Sequence, residues 1–321
     1  LVTITFSEAV SNFDNSDLTI ANGTLTAVSS EDGGVTWTAT FTPDVDVEDT
    51  SNLITLADAS VADAAGNLNS GSSDSNNYAI DTKLPTATIA VADDALKAGE
   101  SSLVTITFSE AVSNFDNSDL AIANGTLTAV SSEDGGVTWT ATFTPDVDVE
   151  DASNLITLAD ASVADAAGNN NSGATDSNNY AIDTLIPVVT SITVADDALK
   201  AGESSLVTIT FSEAVSNFDN SDLTIANGTL TAVSSEDGGV TWTATFTPDV
   251  DVEDTSNLIT LADASVADAA GNLNSGSSDS NNYAIDTKLP TATIAVADDA
   301  LKAGESSLVT ITFSEAVSNF D

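Results

Sequence analysis

The chain has 321 residues, of which 50 are acidic, five are lysine and none is histidine or cysteine, and its formal net charge is −45. This balance excludes a nucleic-acid-binding surface, because neutralising a phosphate backbone requires Lys and Arg side chains. Without His, Cys or Met, the available metal ligands are carboxylates, carbonyls and water, the set that suits calcium or magnesium. No apolar run reaches the roughly 18 residues that a membrane span needs.

The chain repeats itself at domain length. The segment LVTITFSEAVSNFD of residues 1–14 returns at 103–116, 206–219 and 308–321, at offsets of 102, 103 and 102 residues. A unit of about 100 residues can bury its own core. The extra residue of the third copy falls where LIPVVTSITVADDALK (185–200) replaces KLPTATIAVADDALK (83–97), so this segment behaves as a junction.

Placing each boundary after Ile-Asp-Thr predicts four parts. Residues 1–82 form a repeat that lacks its first strand, 83–184 and 185–287 form complete repeats, and 288–321 form the N-terminal strands of a further repeat. The predicted partners of each repeat are its identical neighbours in the same chain.

Within residues 83–184, short stretches alternate apolar residues with Thr, the pattern of half-buried strands. In chain order the predicted strands are Thr86–Val91, Val104–Phe108, Leu120–Ala123, Thr126–Val130, Val137–Phe143, Leu155–Leu158 and Tyr180–Asp183. Seven short strands in about 100 residues predict an all-β fold, a sandwich of two sheets. Asp94–Glu100 is predicted to connect the first two strands, and Asp165–Asn179 is predicted to be a long loop.

Two strands are separated by Asn124-Gly125. This dipeptide predicts a type I′ hairpin turn, because both central residues of such a turn need positive φ. It also matches the N-glycosylation pattern together with Thr126.

Carboxylates are expected to converge at each junction. In a sandwich whose strands alternate in direction, the loop after the second strand and the loop before the last strand lie where the chain enters from the preceding repeat. A calcium ion, which takes six to eight oxygen ligands in flexible geometry, would relieve the repulsion between such carboxylates. The predicted ligands are Asp81, Glu110, Asp116, Asp119, Asp165 and Asn169 at the first junction, Asp183, Glu213, Asp219, Asp222, Asp268 and Asn272 at the second, and Asp286 and Glu315 at the third.

A second set of acidic residues lies at the opposite end of each repeat. The run Asp146–Asp151 alternates, so an extended chain would turn its Val side chains inward and its acidic side chains outward. These residues are weaker candidates for calcium ligands, and the alternative is a solvated edge that resists aggregation through charge. The second set comprises Asp93, Asp94, Glu100, Asp146, Asp148, Glu150 and Asp151, with Asp196, Asp197, Asp249, Asp251, Glu253 and Asp254 in the next copy.

Catalysis, direct ligand binding and fibre assembly are the other functions that these residues could serve. Enzymatic catalysis is not expected, because no nucleophile has a base beside it. Trp37, Trp139 and Trp242 could stack on a glycan, and the Thr rows 105, 107 and 138, 140, 142 could bind ice, but the alternation favours a core position for Trp and a wet strand face for Thr. A self-assembling fibre is a further alternative, in which Lys288–Ser307 of another copy supplies the strand missing before Leu1.

Five segments carry a resemblance to a known family. They are Leu96–Glu100 (LKAGE), Ser109–Val112 (SEAV), Phe115–Leu120 (FDNSDL), Asp165–Asn169 (DAAGN) and Tyr180–Thr184 (YAIDT). They resemble the bacterial immunoglobulin-like repeats of giant cell-surface adhesins, above all the extender region of repeats-in-toxin (RTX) adhesins.

The resemblance implies calcium-bound immunoglobulin-like sandwiches joined end to end, secreted, and holding a distal ligand-binding domain away from the bacterial surface for adhesion or biofilm formation. The Gly-Gly-x-Gly-x-Asp repeats of such adhesins do not occur in these residues.

Overall fold

The computed structural model describes all 321 residues, from Leu1 to Asp321. Its regular structure consists of short β-strands and three 3₁₀ helices, Asn15–Asp17, Asn117–Asp119 and Asn220–Asp222. Backbone contacts divide the chain into two compact units. The first contains Leu1–Asp94, Ser101–Thr144 and Ser153–Tyr180, and the second contains Ala95–Glu100, Pro145–Ala152 and Ala181–Asp321.

The second and third repeats have the same strands in the same order, and the first repeat differs from them. The first repeat has β1 (Val2–Thr5), β2 (Val10–Ser11), β3 (Leu18–Ile20), β4 (Gly23–Leu25), β5 (Ser29–Ser30), β6 (Thr36–Ala39), β7 (Phe41–Pro43), β8 (Glu48–Asn52), β9 (Ile54–Leu56), β10 (Ala62–Asp63), β11 (Ser73–Asp74) and β12 (Tyr78–Asp81). The second has β13 (Ala87–Val91), β14 (Ala95–Lys97), β15 (Ser102–Phe108), β16 (Leu120–Ile122), β17 (Gly125–Leu127), β18 (Ser131–Ser132), β19 (Thr138–Pro145), β20 (Glu150–Asn154), β21 (Ile156–Leu158), β22 (Thr175–Asp176) and β23 (Tyr180–Asp183).

The later residues continue this order. The third repeat has β24 (Val189–Val194), β25 (Ala198–Lys200), β26 (Ser205–Phe211), β27 (Leu223–Ile225), β28 (Gly228–Leu230), β29 (Ser234–Ser235), β30 (Thr241–Pro248), β31 (Glu253–Asn257), β32 (Ile259–Leu261), β33 (Ser278–Asp279) and β34 (Tyr283–Asp286). Strands β35 (Ala292–Val296) and β36 (Val309–Phe313) follow and pair with each other.

The all-β prediction is confirmed, and all seven predicted strands are present with slightly different ends. The sequence reasoning missed four short strands, β14, β18, β20 and β22. Two of them are only two residues long, and β14 lies in the segment predicted to be a connection. It pairs in parallel with β23, Leu96 opposite Ile182, and so the end of the last strand is held by an early segment of its own repeat.

The third repeat shows how the sequence builds a core. Strands β24, β26, β30 and β28 form one sheet, and β27 with β32 and β25 with β34 belong to two others. Along β26, Val207, Ile209 and Phe211 are buried, and the Thr residues between them lie on the other face. Side chains from these sheets form one apolar cluster that includes Phe246, Leu261 and Tyr283. The alternation read from the sequence therefore separates core from surface.

The tryptophans pack against this core. Trp242 is partly buried, contacts Phe218 edge to face at 5.2 Å, and donates its Nε1–H to the carbonyl oxygen of Gly239 at 2.9 Å. Trp139 makes the corresponding contacts with Phe115 and Gly136. The expected core position of Trp is confirmed for Trp242, and its polar atom is satisfied locally.

The predicted hairpin at Asn124-Gly125 is wrong. Strand β16 pairs with β21 and β17 pairs with β19, so the chain crosses between two sheets here. Asn124 has a φ of 56°, but Gly125 does not have positive φ. Gly125 is needed for space, since a Cβ there would collide with the ring of Phe143 and lie 2.6 Å from the carbonyl oxygen of Thr144. The amide of Asn124 donates to Oδ1 of Asn154 at 2.8 Å and is thus engaged inside the repeat.

Replacing Gly125 with alanine is expected to destabilise the second repeat by about 1–3 kcal/mol, because the added methyl overpacks a rigid aromatic ring. Urea unfolding followed by Trp139 fluorescence measures this, in a chain carrying Trp37→Phe and Trp242→Phe. The control is Thr126→Ala, which shortens the exposed side chain of the adjacent residue. Equal unfolding midpoints for Gly125→Ala and the parent chain would contradict the steric explanation.

The extended acidic run is also a wrong prediction. Asp146–Val149 form a turn, with Asp148 at a φ of 56°, and the strand begins only at Glu150. Val147 is 82% exposed, so its side chain does not point inward. The turn breaks the period-two alternation on which the prediction depended.

Candidate metal centres at the repeat junctions

The last strand of each repeat delivers an aspartate to the junction. Asp183 ends β23 and is followed by Thr184, whose buried hydroxyl accepts from the backbone N–H of Val149 at 3.0 Å and donates to the carbonyl oxygen of Asp146 at 2.8 Å. Thr82, the residue after Asp81, is held in the same way by hydrogen bonds with Val47 and Asp44. The Ile-Asp-Thr segment is therefore fixed to its own repeat just before the chain enters the next one.

A glutamate from the following repeat lies beside this aspartate. Glu110 comes two residues after the end of β15, where Ser109 exchanges two hydrogen bonds with Thr86, at 2.8 and 3.0 Å. Glu213 follows β26 in the third repeat, where Ser212 and Val188 make the equivalent pair of bonds.

The DAAGN loop supplies a third carboxylate. Oδ1 of Asp165 accepts from the backbone N–H groups of Ala167, Gly168 and Asn169 at 2.7–2.9 Å. Its Oδ2 accepts from the Asn169 amide at 2.8 Å. Asp268 is held by the backbone of Gly271 and Asn272 and by the Asn272 amide. Both aspartates are 4% exposed, so the loop folds around its own carboxylate.

These three segments bring together two groups of carboxylates. Asp81, Glu110 and Asp165 each offer an oxygen within 4.8 Å of the others, and Asp183, Glu213 and Asp268 do the same. Each group combines one residue from the end of a repeat with two from the next, the combination that the sequence reasoning placed at the junctions. That they bind a metal stays a prediction.

Several carboxylate oxygens in these groups have no hydrogen-bond donor. Glu110 Oε1, Glu213 Oε1 and Asp183 Oδ1 are buried and unpartnered, and so is Glu315 Oε1 at the third junction. Buried acceptors are normally satisfied, and a buried carboxylate without a donor needs a proton or a cation. The arrangement therefore favours the binding of positive charge between repeats.

The pKa values of these carboxyl groups reflect the same burial and the same crowding of negative charge. Burial, with the charges of Asp268, Asp183 and Glu150, raises the pKa of Glu213 to about 7. Burial and the charge of Asp268 also raise the pKa of Asp183. At the first junction, burial with Asp165, Asp81 and Glu48 raises the pKa of Glu110, and Lys83 opposes the rise. Burial acts to raise the pKa of Asp165, but hydrogen bonds from Asn169 and its neighbours outweigh this and lower it.

A fourth carboxylate adjoins each group, and the sequence reasoning had assigned it elsewhere. Glu48 is the cross-strand partner of Asp81, and Glu253 is that of Asp286. Their counterpart Glu150 raises the pKa of both Asp183 and Glu213. Glu150 was predicted to belong to the second acidic set, yet its charge acts on the second junction. Like charges opposite each other on paired strands are destabilising, which adds to the repulsion there.

The asparagines at the junctions, Asn169 and Asn272, donate hydrogen bonds to the aspartates on both sides of the junction. Asn272 donates to the carbonyl oxygen of Asp183 at 2.9 Å and to Oδ2 of Asp268, and its own Oδ1 accepts from the backbone N–H of Ala98 at 2.8 Å. Asn169 donates to Asp81 and Asp165 in the same manner. In this arrangement their amides hold the aspartates in place.

Other predicted junction ligands lie outside these groups. Asp116 and Asp119 cap the 3₁₀ helix Asn117–Asp119: Asp116 Oδ1 accepts from the N–H of Ser118, and Asp119 Oδ2 accepts from the N–H of Asp116 at 2.9 Å. Asp219 and Asp222 do the same in the third repeat. Asp286 and Glu315 are not part of a group of three carboxylates.

The second acidic set does not assemble into a centre of its own. None of its members belongs to a group of three carboxylates within 4.8 Å. Glu100 and Lys97 form an ion pair at 3.9 Å, Asp196 accepts from the N–H of Ala198, and Asp254 accepts from the Asn227 amide. The remaining members lie in or beside these turns and strand ends: Asp93, Asp94, Asp146, Asp148, Asp151, Asp197, Asp249 and Asp251.

Without metal, the stability of the third repeat is expected to fall as pH rises from about 5 to 8. The pKa of Glu213 lies near 7 in the folded chain and near 4.5 when unperturbed, so within this window the folded state holds a proton that the unfolded state has lost. Melting curves in chelator at pH 5 and pH 8 measure the effect, and Glu213→Gln should flatten it. A melting temperature that rises with pH in the parent chain would contradict the assigned shift.

The fold and the recurring site define a class of protein, the tandem array of immunoglobulin-like β-sandwich repeats. The model of the bacterial Ig-like domain matches residues 1–80, 81–182, 183–285 and 286–321, and the chain belongs to this family. Such repeats are structural modules. Each matched range after the first starts two residues before the boundary predicted here, and the predicted boundaries stay predictions.

Comparison with curated protein sequences gave no match. Among solved structures, the chain is similar to the Escherichia coli adhesin FdeC, at 12% identity over 88% of this chain and 87% of that one, with a TM-score of 0.37. It is also similar to the I9–I11 tandem of titin, at 7% identity over 83% and 82% of the two chains, with a TM-score of 0.26. TM-scores below 0.5 do not establish a shared arrangement. No helix of this chain is long and apolar enough to cross a membrane.

Proposed function

We propose that this chain is a calcium-stiffened extender segment of a secreted bacterial surface adhesin. It acts without catalysis and projects a distal ligand-binding domain from the cell for adhesion or biofilm formation. One observation carries the proposal: at two successive junctions, carboxylates from both repeats converge and leave buried oxygens without a donor.

The choice of cation follows from the ligands. Each centre offers only oxygen, contributed by a strand end and two loops of different origin. Calcium accepts six to eight such oxygens at varied angles, whereas magnesium demands near-ideal octahedral geometry and keeps several of its waters. Three or four carboxylates completed by water suit calcium better.

The mechanical role follows from where the ligands originate. A cation held by Asp183, Glu213 and Asp268 ties the end of one repeat to two loops of the next. Without it, a chain with 45 excess negative charges has neighbouring repeats that repel one another. Calcium thus turns a repulsive junction into a bridge, and its binding stabilises the folded state by about 2.7 kcal/mol per site at a hundredfold excess over Kd.

An extracellular, cell-surface location is part of the proposal. Calcium is scarce in the cytosol and abundant outside cells. The junctions would therefore bind calcium only after the chain has been exported. The chain contains no Cys, so no disulfide can supply the stiffness instead.

Isothermal titration of the metal-free chain with calcium and, separately, with magnesium tests the binding. The parent chain is expected to bind calcium at the first and second junctions and magnesium much more weakly. The paired variant Glu110→Gln with Glu213→Gln should lose this binding, and Asp116→Asn with Asp219→Asn, which removes two acidic charges from the helix caps, should keep it. Binding that survives loss of both glutamates would overturn the assignment of the centres.

A further inference from the structure

The junctions differ at the residue that follows Ile-Asp-Thr. This position is Lys83 at the first junction, Leu185 at the second and Lys288 at the third. The carboxylates of the first two centres are otherwise equivalent: Asp81, Glu110 and Asp165 correspond to Asp183, Glu213 and Asp268. One chain therefore carries two versions of the same site that differ by a cationic side chain.

Where lysine is present, it pairs with the fourth carboxylate. Lys83 Nζ lies 3.7 Å from Glu48 Oε2, and Lys288 Nζ lies 3.5 Å from Glu253 Oε2. Lys83 is also close enough to the centre to lower the pKa of Glu110 against the rise caused by burial and acidic neighbours. The lysine thus opposes the field that the fourth carboxylate adds to the site.

Where leucine replaces it, that field is not cancelled. No lysine forms an ion pair with Glu150, since the five pairs of the chain involve Glu48, Glu100, Glu203, Glu253 and Glu305. Lys97, which belongs to the preceding repeat, lies near Gly271 at this junction and pairs with Glu100. It is not among the groups that shift the pKa of Glu213 or Asp183.

We propose that the residue after Ile-Asp-Thr sets the divalent-cation affinity of each junction, and that Leu185 makes the second junction bind calcium more tightly than the first. This inference rests on the proposed function. A nearby ammonium repels a divalent ion by Coulomb interaction and occupies the carboxylate that would attract it. Junctions of the two kinds would fill at different calcium concentrations, so that the array stiffens in stages as calcium rises.

Single-site chains separate the two affinities. Glu110→Gln leaves the second junction to bind calcium, and Glu213→Gln leaves the first. In the first background, Leu185→Lys is expected to weaken calcium binding about tenfold, and in the second, Lys83→Leu is expected to strengthen it about tenfold. Isothermal titration at low ionic strength gives both constants, and both changes should shrink in added salt.

Two controls separate the effect of a positive charge at position 185 from the effect of side-chain shape and from that of the net charge of the chain. Leu185→Gln introduces a long polar side chain without charge and should change the constant by less than about threefold. Lys200→Leu removes a lysine that pairs with Glu203 at 3.2 Å and does not contribute to the pKa of either glutamate, and should leave both constants unchanged.

The inference is overturned if the two exchanges leave the constants within twofold of their backgrounds, or if Leu185→Gln weakens binding as much as Leu185→Lys does. In either case calcium still binds and the proposed function stands. If neither single-site chain nor the parent chain binds calcium, the proposed function fails, and this inference fails with it.

Discussion

Replacing Asp165 with alanine is expected to destabilise the second repeat by about 3 kcal/mol even in chelator. The buried carboxylate accepts from the backbone N–H groups of Ala167, Gly168 and Asn169 and from the Asn169 amide. Alanine leaves these donors without an acceptor, and each buried unsatisfied group is costly. Urea unfolding followed by Trp139 fluorescence, in the chain with Trp37→Phe and Trp242→Phe, measures the loss.

Asp165→Asn separates the structural role of this residue from its ligand role. The amide oxygen can still accept from the loop backbone, so stability in chelator should fall by less than half as much as in Asp165→Ala. The missing charge should nevertheless reduce the calcium-induced stabilisation at this junction. If Asp165→Asn gains as much from calcium as the parent chain does, Asp165 is not a ligand.

Replacing Phe143 with alanine is expected to destabilise the second repeat by about 3–5 kcal/mol, the usual range for a large aromatic side chain removed from a core. Phe143 is fully buried and contacts Tyr180 edge to face at 5.1 Å. Its ring also fills the space that Gly125 leaves open. The same fluorescence assay measures the change, and Phe143→Leu should cost distinctly less because more of the volume is retained.

The neighbouring glycine gives this prediction a specific control. In a chain that already carries Phe143→Leu, Gly125→Ala should cost less than it does beside the native ring, because the clash is relieved. Strictly additive effects would show that the two positions do not share the same space.

The sequence predicts the strands well for a physical reason. Alternation of Val, Ile and Phe with Thr specifies which face of a strand is buried, and β15 and β19 follow it closely. The type I′ turn failed because Asn-Gly also occurs where a chain crosses between sheets and a neighbouring ring excludes any Cβ. Local turn preference cannot reveal that Phe143 lies against Gly125.

The candidate centres were predicted in outline from topology alone. Asp81, Glu110 and Asp165 are far apart in sequence and meet because three segments reach the same end of a sandwich. The capping roles of Asp116 and Asp119 were not predicted, because an acidic pattern in the sequence fits a helix cap as well as it fits a set of metal ligands. The influence of Glu150 could have been anticipated by pairing its strand with the strand that ends at Asp183.

We propose that calcium stiffens the junctions between folded repeats. Small-angle X-ray scattering of the parent chain in millimolar calcium, in magnesium and in chelator tests it most directly, alongside the paired variant Glu110→Gln with Glu213→Gln. We expect scattering from a longer, stiffer particle in calcium, a more flexible one in chelator, no rescue by magnesium, and chelator-like scattering from the variant in every buffer. Scattering from the parent chain that is identical in all three buffers would contradict the account and leave the carboxylates as a solubilising surface.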